Sequence, residues 1–383
     1  MNFNYCTKCV MPNTRPDLYF NDEGVCDACR SAITKEQGID WNTRKKEFEE
    51  IVEKYRSKNN SGYDCLIPVS GGKDSTYQVH VMKNIYGFNP LCVCFEPTIP
   101  TDLGRKNLDN ISKMGVDVIL FKKDHQVYKK MVIEGLKRVG DNEWPNHVGI
   151  FTVPIHFAIK FNIPLVIWAE NDMLELGGPE EAKNVKVFTR RWLEEFCGLL
   201  GNRVEDMLIQ GITTRDLEMY FYPTDEDLQR VGVTGLFLGY FFKWVVRDQL
   251  DLVKKLGFSV KEDGPMETTY TNFENLDCYS MSIHDYIKWV KYGFGRATDH
   301  ACSDIRNGII TREEGVRLVR KYDGKIPAVA LQKFLEYAEM DKQEFLEIVD
   351  KFANPVIFEK NKDGTFKRDI DDNLVMKEEH VIK

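Results

Sequence analysis

The residues best suited to chemistry in this 383-residue chain fall into four clusters. Cys6-x2-Cys9 and Cys26-x2-Cys29 are two CxxC knuckles separated by sixteen residues, a spacing that suits a tetrathiolate metal site. Four soft thiolates in a segment too short to build its own core point to a closed structural Zn²⁺ site on Cys6, Cys9, Cys26 and Cys29, with an iron–sulfur cluster as the competing occupant. A redox pair would not need its duplicate. The second cluster is Ser70-Gly71-Gly72-Lys73-Asp74-Ser75, set between the apolar run Cys65 to Val69 and a helix beginning near Asp74. Glycines let backbone N–H groups approach an anion, a helix N-terminus adds unpaired donors, and Ser70, Lys73 and Ser75 add side-chain donors. It is not a Walker A loop, because Ile67 and Asp74 stand where that pattern needs Gly and Ser or Thr. A capped Gly-Gly turn without a ligand is the plain reading of the same string.

The third cluster follows the apolar run Leu165 to Ala169 and reads Glu170-Asn171-Asp172-Met173-Leu174-Glu175-Leu176-Gly177-Gly178. Ligands of open parallel sheets bind beyond the carboxyl ends of strands, so Glu170, Asn171 and Glu175 are expected to face whatever the Ser70–Ser75 loop holds, as Mg²⁺ ligands or a base. The fourth is Lys291-Tyr292-Gly293-Phe294-Gly295-Arg296-Ala297-Thr298-Asp299-His300, where Arg296 or His300 could offset phosphate charge. A surface loop before an Asp-capped helix explains it equally well. Cys65, Cys92 and Cys94 sit on predicted strands and read as small core residues, with a sulfur-carrier role as the alternative. His125, His147, His156 and His284 have no metal-like pairing and read as core or surface residues.

The elements that must position these groups alternate from Tyr63 onward: strand 64–69, helix 74–86, strand 91–95, helix 103–114, strand 117–121, helices 126–138 and 154–161, and strand 165–169. That βαβ series with continuous apolar strands predicts an α/β fold with a doubly wound parallel sheet. Residues 241–256, 282–292, 312–322 and 328–352 read as helices, and 358–376 as a hairpin or loose tail around Lys362-Asp363-Gly364. The organisation is therefore a metal-binding module at 1–40, a linker helix at 41–62, an α/β domain at 63–235 and a mainly helical region at 236–383. Hydrophobic residues at 43% and charged residues at 29% exclude a disordered scaffold, and a formal net charge of −8 leaves no global cationic field for a nucleic acid. Residues 1–10 lack an apolar signal core, and residues 150–169 carry His156, Lys160 and Asn162, so a cytoplasmic chain with no membrane span is expected. Ten cysteines in that reducing setting argue against a disulfide framework.

The Ser70–Ser75 string resembles the PP-loop of the ATP-pyrophosphatase superfamily, whose fold is the adenine-nucleotide alpha-hydrolase type and whose members split ATP between the α and β phosphates. That resemblance implies that Ser70, Gly71, Gly72, Lys73, Asp74 and Ser75 hold the pyrophosphate of ATP with Mg²⁺, and that the backbone around Phe95 reads adenine. The strings CTKCVMPNTRPDLYFNDEGVCDACR, SGGKDS, WAENDMLELGG and KYGFGRATDHACSDIRNGIITREEG, in one order to about Tyr322, together look like the N-acetyl sugar amidotransferases of O-antigen and flagellar nonulosonate (pseudaminic acid) pathways. The family likeness implies a zinc-ribbon-like N-terminal module and conversion of an acetamido group to an acetamidino group on a nucleotide-activated sugar or nonulosonate. It also implies release of AMP and pyrophosphate. Lys73 and Asp74 would serve the nucleotide, Glu170 or Glu175 the ammonia, Asn171, Gly177 and Gly178 the bound cofactor, and Arg296 and His300 the sugar or α-phosphate. With no glutaminase-like Cys elbow in the chain, ammonia is expected from a separate glutaminase with a cyclase-like companion. Two alternatives are a tRNA-thiolating PP-loop enzyme, which needs a catalytic cysteine, and a non-catalytic nucleotide-binding adaptor.

Overall fold

The computed structural model describes residues 3–56, 62–169, 175, 177–179, 185–196, 199 and 201–383. Its centre is a six-stranded sheet in the order β3-β2-β1-β4-β6-β5, built from β1 (Cys65–Pro68), β2 (Pro90–Phe95), β3 (Asp117–Phe121), β4 (Leu165–Trp168), β5 (Val187–Phe188) and β6 (Thr234–Phe237). The first five strands of that order run parallel, with Leu66 opposite both Leu91 and Val166. The edge differs from the expected all-parallel sheet, since β5 is antiparallel to β6. Two residues suffice to seal an edge with one short antiparallel pair, and so short a run has no sequence signature. Strand order reverses between β1 and β4, which makes the carboxyl end of that pair the topological switch point, where open α/β sheets leave a crevice.

Side-chain alternation sends each strand into two cores. Leu66, Leu91, Val93 and Phe95 join a large cluster with the C-terminal helices, while Cys65, Ile67, Cys92 and Cys94 face the opposite side with Phe48 and Val79. After α1 (Asp27–Gly38), which carries Cys29 of the N-terminal module, α2 (Trp41–Glu53) and α3 (Lys73–Val79) cover that second side by burying Phe48, Val52 and Val79. Asp40 caps α2 by accepting from Asn42 N and Thr43 N, and Thr101 caps α4 (Asp102–Lys113) by accepting from Gly104 N at 2.9 Å. The expected 74–86 helix is α-helical only to Val79 and continues as a π-helix over His80–Ile85.

The first large core lies under α5 (His125–Val139) and α6 (Trp144–Lys160). The expected 154–161 helix is the last part of the seventeen-residue α6, because Pro145 starts a helix well and Pro154 is accommodated inside it. Further helices at Ser280–Tyr292, Arg296–Arg306, Arg312–Tyr322, Ala328–Ala338 and Lys342–Asp350 pack against that core and against the N-terminal module. The expected continuous 328–352 helix is broken at Glu339 (φ 53°), after which Asp341 caps the next one. The 358–376 segment forms antiparallel bridges Phe358↔Met376, Lys360↔Phe366 and Arg368↔Leu374, as its turn signal implies. No helix among the described residues is long and apolar enough to cross a membrane.

Candidate functional site

The Ser70–Ser75 loop leaves the carboxyl end of β1 and turns into α3. Gly71 has φ 87°, and a Cβ there would lie 2.8 Å from Leu108 N and 2.9 Å from Gly104 O, so the loop packs directly on the backbone of α4. Three hydrogen bonds tie the turn to itself: Gly72 N donates to Ser70 Oγ (3.2 Å), Ser70 N donates to Ser75 Oγ (3.3 Å), and Ser75 Oγ donates to Gly72 O (3.2 Å). No side chain caps α3. Lys73 is buried, its ammonium held by Asp74 and 3.8 Å from Glu274 Oε1. Burial raises the Glu274 carboxyl above its ordinary range against the pull of Lys73.

This loop opens on a cavity of about 650 Å³ at the switch point of the sheet. Ser70, Asp74, Ser75 and Phe95 line one side, and Arg15, Lys288, Lys291 and Arg296 form a cationic wall. Arg296 Nε donates to both Asp285 oxygens at 3.0 and 3.2 Å. Lys288 Nζ donates to Asp299 Oδ2 at 2.5 Å, and Arg15 Nη1 to Asp299 Oδ1 at 3.2 Å. Burial would raise the Asp299 carboxyl, but Lys288 and Arg15 outweigh it and hold it well below the carboxylate range. The buried Arg15 Nε has no hydrogen-bond partner among the described residues. The four cations stand against Asp285 and Asp299, and the carboxylates of Asp74, Asp141, Glu143 and Asp277 line the same cavity.

The other residues singled out from sequence distribute unevenly. Arg296 and Phe95 line the cavity, whereas His300 does not: its Nδ1 lies 2.6 Å from Thr269 Oγ1 and 3.3 Å from Thr271 Oγ1, and burial beside Arg296 pushes its pKa down to about 3. Glu175 pairs with Lys35, and Arg306 Nη2 donates to its backbone oxygen at 3.0 Å, away from the cavity. Gly177, at φ 91°, would place a Cβ 2.7 Å from Leu18 and 3.2 Å from Ala28, and Gly178 N donates to Asp27 Oδ2 at 3.4 Å. Both glycines thus dock the N-terminal module. Glu170 and Asn171 lie outside the described residues.

Sequence reasoning missed a second group that lines the cavity. His147 and His284, read above as core or surface residues, both line the cavity and share one carboxylate. Gly140 ends α5 in the left-handed conformation (φ 62°), and the chain then turns through Asp141-Asn142-Glu143 into α6. His284 Nδ1 lies 2.8 Å from Asp141 Oδ1, His147 Nδ1 3.4 Å from Oδ2, and the rings are 5.0 Å apart at 85°. Burial opposes the Asp141 charge, but the two histidines hold it far below the usual carboxylate range. Burial lowers His284 despite Asp141, whereas at His147 the attraction of Asp141 exceeds the burial cost and raises it. Glu143 is pushed up to about 7 and Asp277 to about 6, both by burial. The signal for this group was a polar string between two apolar helices; its partner His284 lies 143 positions from Asp141.

Cys6, Cys9, Cys26 and Cys29 are all buried, with their sulfurs within 4.8 Å of one another. Cys6–Cys29 is 4.0 Å and Cys9–Cys26 3.8 Å, close to the roughly 3.8 Å edge of a tetrahedron with Zn–S bonds of about 2.3 Å. The N–H groups of Lys8, Cys9 and Cys26 point at Cys6 Sγ from 3.4, 3.5 and 3.3 Å, as the outer shell of a thiolate ligand does. The four cysteines are placed to hold one metal ion such as zinc.

Residues 267–370 match the family described as LPS biosynthesis protein WbpG-like, C-terminal domain. A curated, uncharacterized protein of Methanocaldococcus jannaschii is 28% identical over 136 residues, 35% of this chain and 47% of the relative, so the match spans about half of that relative's length. The segment that brings Asp277, His284, Lys288, Lys291 and Arg296 to the cavity is thereby similar to the C-terminal domain of WbpG-like lipopolysaccharide biosynthesis proteins.

Proposed function

We propose that the chain is an ATP-dependent amidotransferase of surface-glycan biosynthesis, converting an acetamido group on a sugar to an acetamidino group with release of AMP and pyrophosphate. One observation carries the reading: the Ser70–Ser75 loop, which resembles a PP-loop in its sequence, opens on the same cavity as the charged residues of the WbpG-like segment. An amide carbon is a poor electrophile, and its oxygen a poor leaving group, until that oxygen is adenylated. The self-tied loop and α3 donors would hold the pyrophosphate, Asp74 would carry its Mg²⁺, and Lys73 would offset its charge. Lys288, Lys291, Arg296 and Arg15 would hold the anionic part of the sugar or the α-phosphate, as fixed charges aimed at developing negative charge do. Ammonia would come from a partner glutaminase with a cyclase-like companion.

The purified chain given Mg-ATP, ammonium chloride and an acetamido sugar is expected to form AMP and a product lighter by the difference between an oxygen atom and an NH group. ADP as the nucleotide product would refute the PP-loop reading. Sulfur in the product would favour tRNA thiolation. Against that alternative stands the placement of Cys65, Cys92 and Cys94 on the sheet face away from the cavity; Cys278, which does line it, accepts a hydrogen bond from Ile99 N at 3.4 Å.

A further inference from the structure

We propose that His284, oriented by Asp141, is the general base that takes a proton from the attacking ammonia, and that His147 on the same carboxylate gives a proton to the imidate nitrogen. The inference rests on the amidotransferase reading and assigns roles within it. The geometry is specific. Two imidazoles turn their Nδ1 atoms to one buried aspartate, at 2.8 and 3.4 Å, and both line the cavity that the nucleotide loop opens on. At His284 the Nδ1–H hydrogen-bonded to the carboxylate fixes the tautomer and leaves Nε2 as the working atom, whereas His147 Nδ1 stands at ion-pair distance from Asp141 without a hydrogen bond. Neither Nε2 has a hydrogen-bond partner among the described residues. Asp141 is itself fixed, since Glu143 N donates to Oδ1 at 2.9 Å and the residue is buried. Both rings line the same cavity as Ser70, Asp74 and Ser75.

Adenylation of the amide oxygen leaves the amide N–H acidic, and with that proton released to solvent the neutral imidate gives each ring a role. His147, protonated, donates to the nitrogen of the adenylated imidate, making its carbon a better electrophile. Ammonia forms the new C–N bond with its lone pair, and the positive nitrogen passes one proton to Nε2 of His284. The C–O bond to AMP then breaks, AMP leaving with the bonding electrons, and the product is the amidinium form of the acetamidino group. One proton has moved from His147 to His284, and solvent exchange restores the pair. The opposed shifts of the two rings, downward at His284 and upward at His147, match a neutral acceptor beside a charged donor. Arg296 and Glu143 enter that balance at His147, Glu143 raising it and Arg296 lowering it, while Asp285 raises His284.

The two halves of the reaction separate these roles from the reading beneath them. Sugar-dependent exchange of labelled pyrophosphate into ATP, measured without ammonia, reports adenylation alone. H284Q and D141N are expected to lower ammonium-dependent amidine formation by ~10²–10³, while the exchange rate falls by less than about tenfold. Added imidazole should restore part of the amidine formation in His284→Ala, which guards against a variant that is merely misfolded. Equal losses in exchange and amidine formation, without imidazole rescue, would overturn the proposal and leave the amidotransferase reading intact. Absence of exchange in the unsubstituted protein with every acetamido sugar tried would overturn both.

Discussion

Gly71→Ala is expected to destabilise the protein by about 2–5 kcal/mol, in two separable parts. At φ 87° an L side chain is held in the left-handed region, which costs about 1–2 kcal/mol. The new methyl would also stand 2.8 Å from Leu108 N, 2.9 Å from Gly104 O and 3.2 Å from Leu108 Cα, all backbone atoms of α4. Helix α4 is tightly packed at this point, since a Cβ on Gly104 would itself lie only 2.4 Å from Asp277 Cα. Overpacking of this kind costs about 1–3 kcal/mol. Gly364 supplies the control: it has φ 90° and nothing within 4 Å of where an alanine methyl would stand, so Gly364→Ala should show the backbone part alone, about 1–2 kcal/mol. Urea unfolding followed by tryptophan fluorescence and circular dichroism measures both. Equal losses in the two variants would show that the loop does not press on α4, and the tight seat of the Ser70–Ser75 turn would have to be abandoned.

Three further outcomes follow from the geometry. Metal analysis should find one zinc per chain, and Cys26→Ser should lose it and lower thermal stability before it alters any rate constant. Glu143→Gln should flatten the pH dependence of stability: burial raises the folded pKa from 4.5 to about 7, so the native state keeps a proton the unfolded chain gives up, and stability falls as pH rises across that window. The loss amounts to about 3 kcal/mol at most, so the variant should match the parent near pH 4 and exceed it at pH 8 in denaturation midpoints. Arg15→Ala should raise KM for an anionic acetamido sugar about tenfold or more with metal content unchanged, since a charge-assisted hydrogen bond is worth about 1.5–3 kcal/mol; an unchanged KM would remove Arg15 from the binding wall.

The parts legible in the sequence are those whose chemistry is local. The CxxC pairs and the Ser70–Ser75 string each place their donors within a few residues, and both structures follow the spacing. The βαβ series was legible because parallel strands buried on both faces are continuous apolar runs, as in Cys65–Pro68 and Pro90–Phe95. Strand β6 escaped because Thr234–Phe237 contains a glycine, which weakens the strand pattern although Gly235 is needed there: a Cβ would meet Trp168 Nε1 at 2.8 Å. The strand-end rule located the crevice but not which polar groups enter it, so Glu175, Gly177 and Gly178 were expected at the cavity and instead hold the cysteine module. His147 and His284 could not be paired from sequence, since their common carboxylate is brought between them only when the Ser280–Tyr292 helix packs on the α5–α6 corner.

The way the cysteine module is seated sets an order for assembly. Its buried residues, Cys6, Val10, Met11 and Cys29 among them, share a cluster with Phe294, Cys302, Val316 and Ile382. Arg312 Nε donates to Cys9 O across 303 positions, and Tyr5 OH to His380 O across 375. During synthesis the knuckles are exposed long before these neighbours exist, and a short segment without its own core has little to shape it except a metal ion. Ion capture can therefore come first and lock a compact knob, whereas the surface that receives that knob is completed only when the residues around 380 have been added. Contacts of such long sequence separation close slowly, so the seat of the module, and with it the placing of Arg15 beside Asp299, waits on residues far along the chain.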